Sequence, residues 1–255
     1  MQHLEMTTLA QLAQAERWDT EAMHASERHL LIWVTRGQGR VTMEGVTRNY
    51  SANTAIWIPA KLIHGYTLGK GVAGHAVHVP EGFVAGLPQK GLVVRLVDAD
   101  ERREMTDLVE GVWREASATP IQPAALRQRV EMVSGWLRRR AEGKGPQERA
   151  SERLSRRYAQ LVQERYHLGL RVADYASELG VTPTHLSRAC KAASGQPAAR
   201  LLQERVITEA RKRLAQTDAP VGEIASELGY ASHSYFTRDF QYRTGLTPTQ
   251  FRRRA

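Results

Sequence analysis

The sequence predicts an α+β protein in which a small N-terminal β-barrel or sandwich precedes a helical pair and an all-α C-terminal domain. Three observations predict it. Short β-forming runs punctuated by glycine come first, apolar residues at helical spacing follow, and a helix-turn-helix pattern then occurs twice, joined by a linker helix. We therefore expect domains at residues 1–95, 96–145 and 146–255.

Composition narrows the class of protein before any motif is considered. With 42% hydrophobic and 25% charged residues in a chain of 255, the sequence can bury a real core, which excludes wholesale disorder. No stretch approaches the roughly 18 apolar residues of a membrane span, and the start lacks a secretory signal. Cys190 is the single cysteine, which excludes an internal disulfide framework. We expect a cytoplasmic protein without membrane contact.

The N-terminal part contains four runs rich in β-forming residues, and turn residues separate them. Gly37-Gln38-Gly39 lacks the helix and lysine of a phosphate-binding loop, so it predicts a hairpin. The predicted strands are Arg28–Thr35, Arg40–Met43, Thr54–Pro59 and His75–Pro80.

Beyond Asp98 the apolar period changes to that of a helix. Two helices follow, which Pro120 and Pro123 separate, and we expect them to pair in antiparallel fashion. The apolar positions are Met105, Leu108, Val109, Val112 and Trp113, then Leu126, Val130, Val133, Trp136 and Leu137. The segment 141–146 has no large apolar side chain to anchor it, so it is the predicted linker.

Charge is unevenly distributed along the chain. The net charge is +9; residues 1–144 hold 18 basic and 16 acidic side chains, whereas residues 145–255 hold 18 and 11. Most of the positive excess therefore belongs to the shorter C-terminal part. This asymmetry favours a domain that binds a polyanion, although many surface cations are merely solvated.

The C-terminal part repeats itself. Ala176–Gly180 and Ala225–Gly229 share the sequence ASELG, and Gly195 matches Gly245 further on. Alanine allows two helices to approach, leucine fills the core between them, and glycine permits a left-handed turn. Each copy therefore predicts a helix-turn-helix, and a helix from Ala198 to Gln216 joins the two.

The second helix of each copy is the predicted recognition helix. Thr182 and Ser232 are the expected N-caps, while Leu186 and Cys190, then Tyr235 or Phe236 with Phe240, form the buried stripe. The opposite face carries short polar and basic side chains suited to a DNA major groove, although an ordinary solvated helix face is the alternative. These candidate DNA-binding residues are Thr184, Ser187, Arg188, Lys191, His233, Ser234, Thr237 and Arg238.

From Val172 to Arg252 the chain resembles the AraC/XylS family of bacterial transcription regulators. The motif residues are Ala225–Tyr230, Ser234–Phe240, Gly245, Thr247-Pro248 and Phe251-Arg252. This resemblance implies two helix-turn-helix units on double-stranded DNA, with Thr184, Ser187 and Arg188 facing bases in the first and His233, Ser234, Thr237 and Arg238 in the second. Cys190 departs from the family, which usually has phenylalanine there, so we expect looser packing in the first unit.

The N-terminal part is similar to the cupin-like barrel of the same regulators. The turn Ile58–His64 carries this likeness, as does Gly37–Val41. The resemblance implies a small-molecule effector in the barrel, a homodimer formed through the helical pair, and RNA polymerase as a partner for transcription activation. Candidate effector-binding residues are Trp33, Trp57, His64 and Tyr66, although core packing explains the tryptophans equally well.

Two other classes of protein remain open at this stage. The first is a metal-dependent cupin enzyme fused to a DNA-binding domain, but the required His-x-His pair is missing, and His75 and His78 fall on opposite faces of a strand. We therefore predict no catalytic residue, no metal site and no cofactor. The second is an architectural protein that binds DNA without sequence preference.

Overall fold

The computed structural model describes residues 4–14, 20–143 and 148–254. The predicted linker at 141–146 thus lies partly outside the described residues. The chain forms two compact units: one of Met1–Glu21, Ala25–Met43 and Arg48–Gln147, the other of Ala22–His24, Glu44–Thr47 and Glu148–Ala255. The strands lie mainly in the first unit, together with the helical pair and one short helix, and the second unit is helical, so the α+β class is confirmed.

The first unit is built around two sheets. Strands β1, β7, β2, β5 and β8 form an antiparallel sheet in that order, and β4, β3 and β6 form a three-stranded sheet. The strands are β1 Glu5–Thr8, β2 Arg28–Arg36, β3 Gly39–Met43, β4 Val46–Tyr50, β5 Thr54–Ile58, β6 His64–Leu68, β7 Ala73–Pro80 and β8 Leu92–Arg95. All four predicted strands are present, and β1, β4, β6 and β8 are additional.

Strand β2 is apolar from Leu30 to Val34, where both of its faces are buried. Leu30 and Ile32 point into a core shared by the two sheets. Leu31 and Trp33 alternate with them and point into a second core. That second core is closed by helices α2 (Ala99–Ala116) and α3 (Pro123–Ala141), which form the predicted pair. A short helix α1, Leu9–Leu12, precedes them.

The predicted hairpin at Gly37-Gln38-Gly39 is wrong. Strands β2 and β3 flank this turn but lie in different sheets, so the turn carries the chain from one sheet to the other. Gly37 adopts a φ of +93°, and a Cβ on it would lie 2.8 Å from the Cα of Val72. The glycine is therefore required by a sharp bend against a neighbouring segment and not by strand pairing.

The second unit contains seven α-helices among its described residues, besides a single 3₁₀ turn at Tyr166–Leu168. They are α4 Ala150–Arg165, α5 Val172–Glu178, α6 Pro183–Ser194, α7 Ala198–Gln216, α8 Val221–Glu227, α9 His233–Thr244 and α10 Pro248–Arg252. Helix α7 has the predicted bounds of the linker helix. Within the described ranges, no helix has the length and apolarity needed to cross a membrane.

Candidate nucleic-acid interface

Helices α5 and α6 form one helix-turn-helix, and α8 and α9 form the other. The same main-chain bond closes both turns: Val181 N–H donates to the carbonyl of Ala176, and Tyr230 N–H to that of Ala225, each at 3.0 Å. Ala176 and Ala225 are buried, so the helices of each pair can approach closely. The repeated sequence thus produces a repeated structure.

The two recognition helices, α6 and α9, begin with the same type of cap. The hydroxyl of Thr182 accepts a hydrogen bond from His185 N–H, and that of Ser232 from Tyr235 N–H, both at 3.2 Å. These bonds satisfy one of the free N–H groups of each first turn. Helices α6 and α9 are both 12 residues long and end at a left-handed glycine, Gly195 or Gly245.

The buried stripe of each recognition helix fixes which side chains face outward. Leu186 and Cys190 of α6, and Phe236 and Phe240 of α9, are completely buried. Burial raises the pKa of the Cys190 thiol to about 11. The sequence left Tyr235 and Phe236 as alternatives, and Phe236 is the core residue.

The eight predicted DNA-binding residues lie away from these stripes. Arg188 and Arg238 occupy equivalent positions, because each lies six residues beyond its N-cap, Thr182 or Ser232. Ser187 and Thr237 are half-buried. The exposed members are Thr184, Arg188, Lys191, His233, Ser234 and Arg238. Helical spacing places the first four of the eight residues on a single face of α6, at positions 184, 187, 188 and 191. The other four form the corresponding group on α9, at positions 233, 234, 237 and 238.

The basic side chains of the recognition helices fall into two groups, those with an ion-pair partner and those without one. In the described part of the chain, Arg188, Lys191 and Arg238 form no ion pair. Arg243 of α9, by contrast, donates to Asp239 at 2.8 Å. Asp239 also accepts from the hydroxyl of Tyr230 at 2.8 Å, and burial together with this bond raises the pKa of Tyr230. The unpaired cations remain available to a polyanion.

One exposed side chain was missed by the sequence analysis. Tyr235 is 55% exposed, and its ring lies 5.8 Å from that of Tyr230. It is next to Ser234 on the first turn of α9, so its hydroxyl adds a candidate contact to that surface. The signal was the i, i+4 spacing of Phe236 and Phe240, which leaves Tyr235 outside the buried stripe.

Three other arginines of the second compact unit have structural partners within the protein. Arg205 of α7 is only 4% exposed and pairs with Glu209 at 3.0 Å. Arg213 pairs with Glu209 at 3.1 Å and also with Glu227. Arg252 donates to the main-chain carbonyls of Leu214 and Ala219, so it anchors the end of the chain.

The four predicted effector-binding residues are all buried, but in different surroundings. Trp33 and Trp57 belong to the core between the five-stranded sheet and helices α2 and α3. Their ring N–H groups donate to Thr106 Oγ1 at 3.2 Å and to the Pro88 carbonyl at 2.9 Å. Tyr66 lies in the core between the two sheets. The fourth, His64, has its ring 6.3 Å from that of Tyr66.

A small apolar cavity lies beside Trp57, between the five-stranded sheet and the helical pair. Its volume is about 10 Å³, about one water molecule. Its lining is Leu31, Trp57, Val77, Val79, Leu87, Val109, Val112, Val130 and Val133. Across the residues for which positions are given, no group of three or more histidine, cysteine or acidic side chains could hold a metal ion.

Comparison with known families places both units in one class of protein. A sequence model of the AraC-like ligand-binding domain matches residues 8–156, more than half of the chain. A model of a helix-turn-helix domain matches residues 175–254. The two matched ranges follow one another along the chain, and the chain belongs to the AraC family.

Individual relatives match about a third of the chain. The HTH-type transcriptional regulator YfiF of Bacillus subtilis is 36% identical over 83 residues, or 32% of this chain and 26% of YfiF. ExsA of Pseudomonas aeruginosa is 31% identical over 36% of this chain and 34% of its own length. The probable transcription factor PqrA of Proteus vulgaris is 31% identical over 33% of this chain and 69% of PqrA. The chain thus spans about a quarter to a third of the length of YfiF and ExsA.

Among solved structures, ToxT of Vibrio cholerae is similar along almost the whole chain. The match covers 98% of this chain and 96% of ToxT, at 15% sequence identity and a TM-score of 0.43.

Proposed function

We propose that this protein is a sequence-specific DNA-binding transcription regulator in which α6 and α9 read neighbouring segments of the major groove. The observation that carries the proposal is the equivalent placement of Arg188 and Arg238, both exposed and without an ion-pair partner in the described structure. Guanidinium groups at such positions can make bidentate hydrogen bonds to guanine. The family and the excess of positive charge in residues 145–255 support it.

The alternative of a non-specific DNA-binding protein is tested by competition. A duplex enriched from a random-sequence library by the full chain is labelled, and unlabelled duplexes compete for the protein at about 0.15 M salt. We expect the enriched sequence to compete at least a thousandfold better than an unrelated duplex, within the range typical of specific binders. Equal competition by the two duplexes would overturn the proposal.

We further infer that the N-terminal unit binds a small-molecule effector. We also infer that the protein acts in the cytoplasm as a homodimer formed through α2 and α3. RNA polymerase is then its partner on DNA. The match to a ligand-binding domain family supports the effector, and Trp33, Trp57, His64 and Tyr66 stay its candidate residues. Ligand binding to the folded state raises the unfolding temperature. A screen of metabolites by thermal shift tests effector binding. If an active metabolite no longer raises the unfolding temperature of Tyr66→Ala, but still raises that of the surface control Tyr242→Ala, the ligand binds between the two sheets. Failure of every metabolite to raise the temperature would count against an effector.

A further inference from the structure

The second helix-turn-helix unit touches, main chain to main chain, the segment that leads from α4 into the first unit. Gly169 follows the 3₁₀ turn between α4 and α5, and Gly229 lies in the turn between α8 and α9. A Cβ on Gly229 would lie 2.3 Å from the nitrogen of Gly169 and 2.8 Å from the carbonyl oxygen of His167. A Cβ on Gly169 would lie 2.6 Å from the carbonyl oxygen of Gly229. No side chain fits at either position unless the two segments move apart.

This close approach is not a general requirement of the helix-turn-helix. Gly180 occupies the equivalent turn of the first unit, with a φ of +69° against +76° for Gly229. Both turns therefore need a left-handed residue, for which glycine is the least strained. A Cβ on Gly180, however, would meet no atom within 4 Å. Of these two glycines, only Gly229 also touches a main-chain segment outside its own helix-turn-helix unit.

A second connection between the units passes through α7. The guanidinium of Arg205 lies 3.9 Å from the ring centroid of Tyr166 and donates to Gln163 Oε1 at 2.8 Å. Gln163 is on α4 and Tyr166 directly follows it, so both lie on the segment that leads into the first unit. Arg205 pairs with Glu209, which also accepts from Arg213, and Arg213 pairs with Glu227 of α8. We call these six residues the Arg205 network. Because Arg205 is buried, its pairing and cation–π contact are less screened than surface pairs.

We propose that the Gly169–Gly229 contact and the Arg205 network fix the angle between α6 and α9, so that the chain accepts one spacing between two half-sites on DNA. Gly169 and Gly229 are then positioning residues that determine which spacing is read. The inference rests on the proposed function. A helix alone would let the second unit pivot about its end, whereas two separate points of contact remove that freedom.

The test compares Gly229→Ala with Gly180→Ala in the full chain. Both variants carry the same left-handed strain, but only the first disturbs the contact between units. Each protein enriches duplexes from the same random-sequence library, and the spacing between the two enriched sub-motifs is read by sequencing. We expect wild type and Gly180→Ala to return one shared spacing. Gly229→Ala should shift it by one or more base pairs or return several spacings.

The same selection separates this inference from the proposed function. If Gly229→Ala returns the wild-type spacing alone, the positioning role is overturned while sequence-specific binding stands. If wild type enriches no two-part motif, the proposed function fails and the inference fails with it.

A second pair of variants covers the case in which Gly229→Ala does not fold. Tyr166→Leu removes the ring beneath Arg205, and Leu168→Ala changes an exposed neighbour in the same 3₁₀ turn. We expect several spacings from Tyr166→Leu and the wild-type spacing from Leu168→Ala. A folded Tyr166→Leu protein that keeps a single spacing would overturn the role of the Arg205 network.

Discussion

Single residues show how the two copies of the repeat reach the same fold with different side chains. Phe236 and Phe240 of the second helix-turn-helix unit and Phe251 of α10 form a chain of ring contacts, with successive ring centroids 5.7 Å apart. In the first unit Cys190 stands where Phe240 stands in the second. Tyr158 of α4 is also buried there, and its ring meets that of Tyr175 edge to face at 5.5 Å. All four of Cys190, Tyr158, Tyr175 and Leu186 are at most 1% exposed.

The small side chain of Cys190, at the position equivalent to Phe240, gives a testable prediction. Restoring the phenylalanine usual in the family, Cys190→Phe, should overfill the first unit and lower the free energy of unfolding by about 1–3 kcal/mol. The urea midpoint of the full chain measures it, with Cys190→Ala as the control that adds no volume. An unchanged or higher midpoint for Cys190→Phe would show that the first unit is loosely packed, as the sequence alone suggests.

At the scale of elements, the C-terminal helices could be predicted from the sequence because their signals are local. Caps such as Thr182 and Ser232, left-handed glycines and the i, i+4 apolar spacing act within one or two turns. The same type of cap and the same left-handed glycine occur in both copies of the repeat. Helix α7 begins directly after Pro197 and ends at Gln216, as expected.

The strands were harder to predict because their stabilisation is not local. β4 contains Thr47-Arg48-Asn49 and β6 contains Gly65, so neither has a run of strong β-formers. Both are held by pairing with β3, which no local pattern reveals. The predicted hairpin at Gly37–Gly39 was wrong for the same reason. Turn residues mark a change of direction, but they do not determine whether the flanking strands pair.

In the candidate site, too, features set by local sequence could be predicted and long-range contacts could not. Exposure of Arg188 and Arg238 could be inferred from the buried stripe on each helix. The partners of Arg205 and Arg213 could not, because Tyr166, Gln163 and Glu227 come from other helices. The contact of Gly169 with Gly229 joins positions 60 residues apart, and nothing in the sequence marks it.

At the scale of the whole molecule, the family matches and the charge distribution both divide the chain into two parts. Residues 8–156 match a ligand-binding domain, and residues 175–254 match a DNA-binding domain. The excess of positive charge belongs to the second part. Coupling between effector and DNA would require the effector to bind more tightly to one arrangement of the chain than to another.

The central claim is that α6 and α9 read two different segments of one duplex, and base preference in two variants tests it most directly. Arg188→Ala and Arg238→Ala are each used to enrich duplexes from a random library, beside wild type and Arg243→Ala, which removes a charge already paired with Asp239. Wild type and Arg243→Ala should return two sub-motifs about 10 base pairs apart. Arg188→Ala should relax one sub-motif and Arg238→Ala the other, each costing about 1–3 kcal/mol at the affected base. Relaxation of the same bases by both variants, or of none by either, would contradict the account.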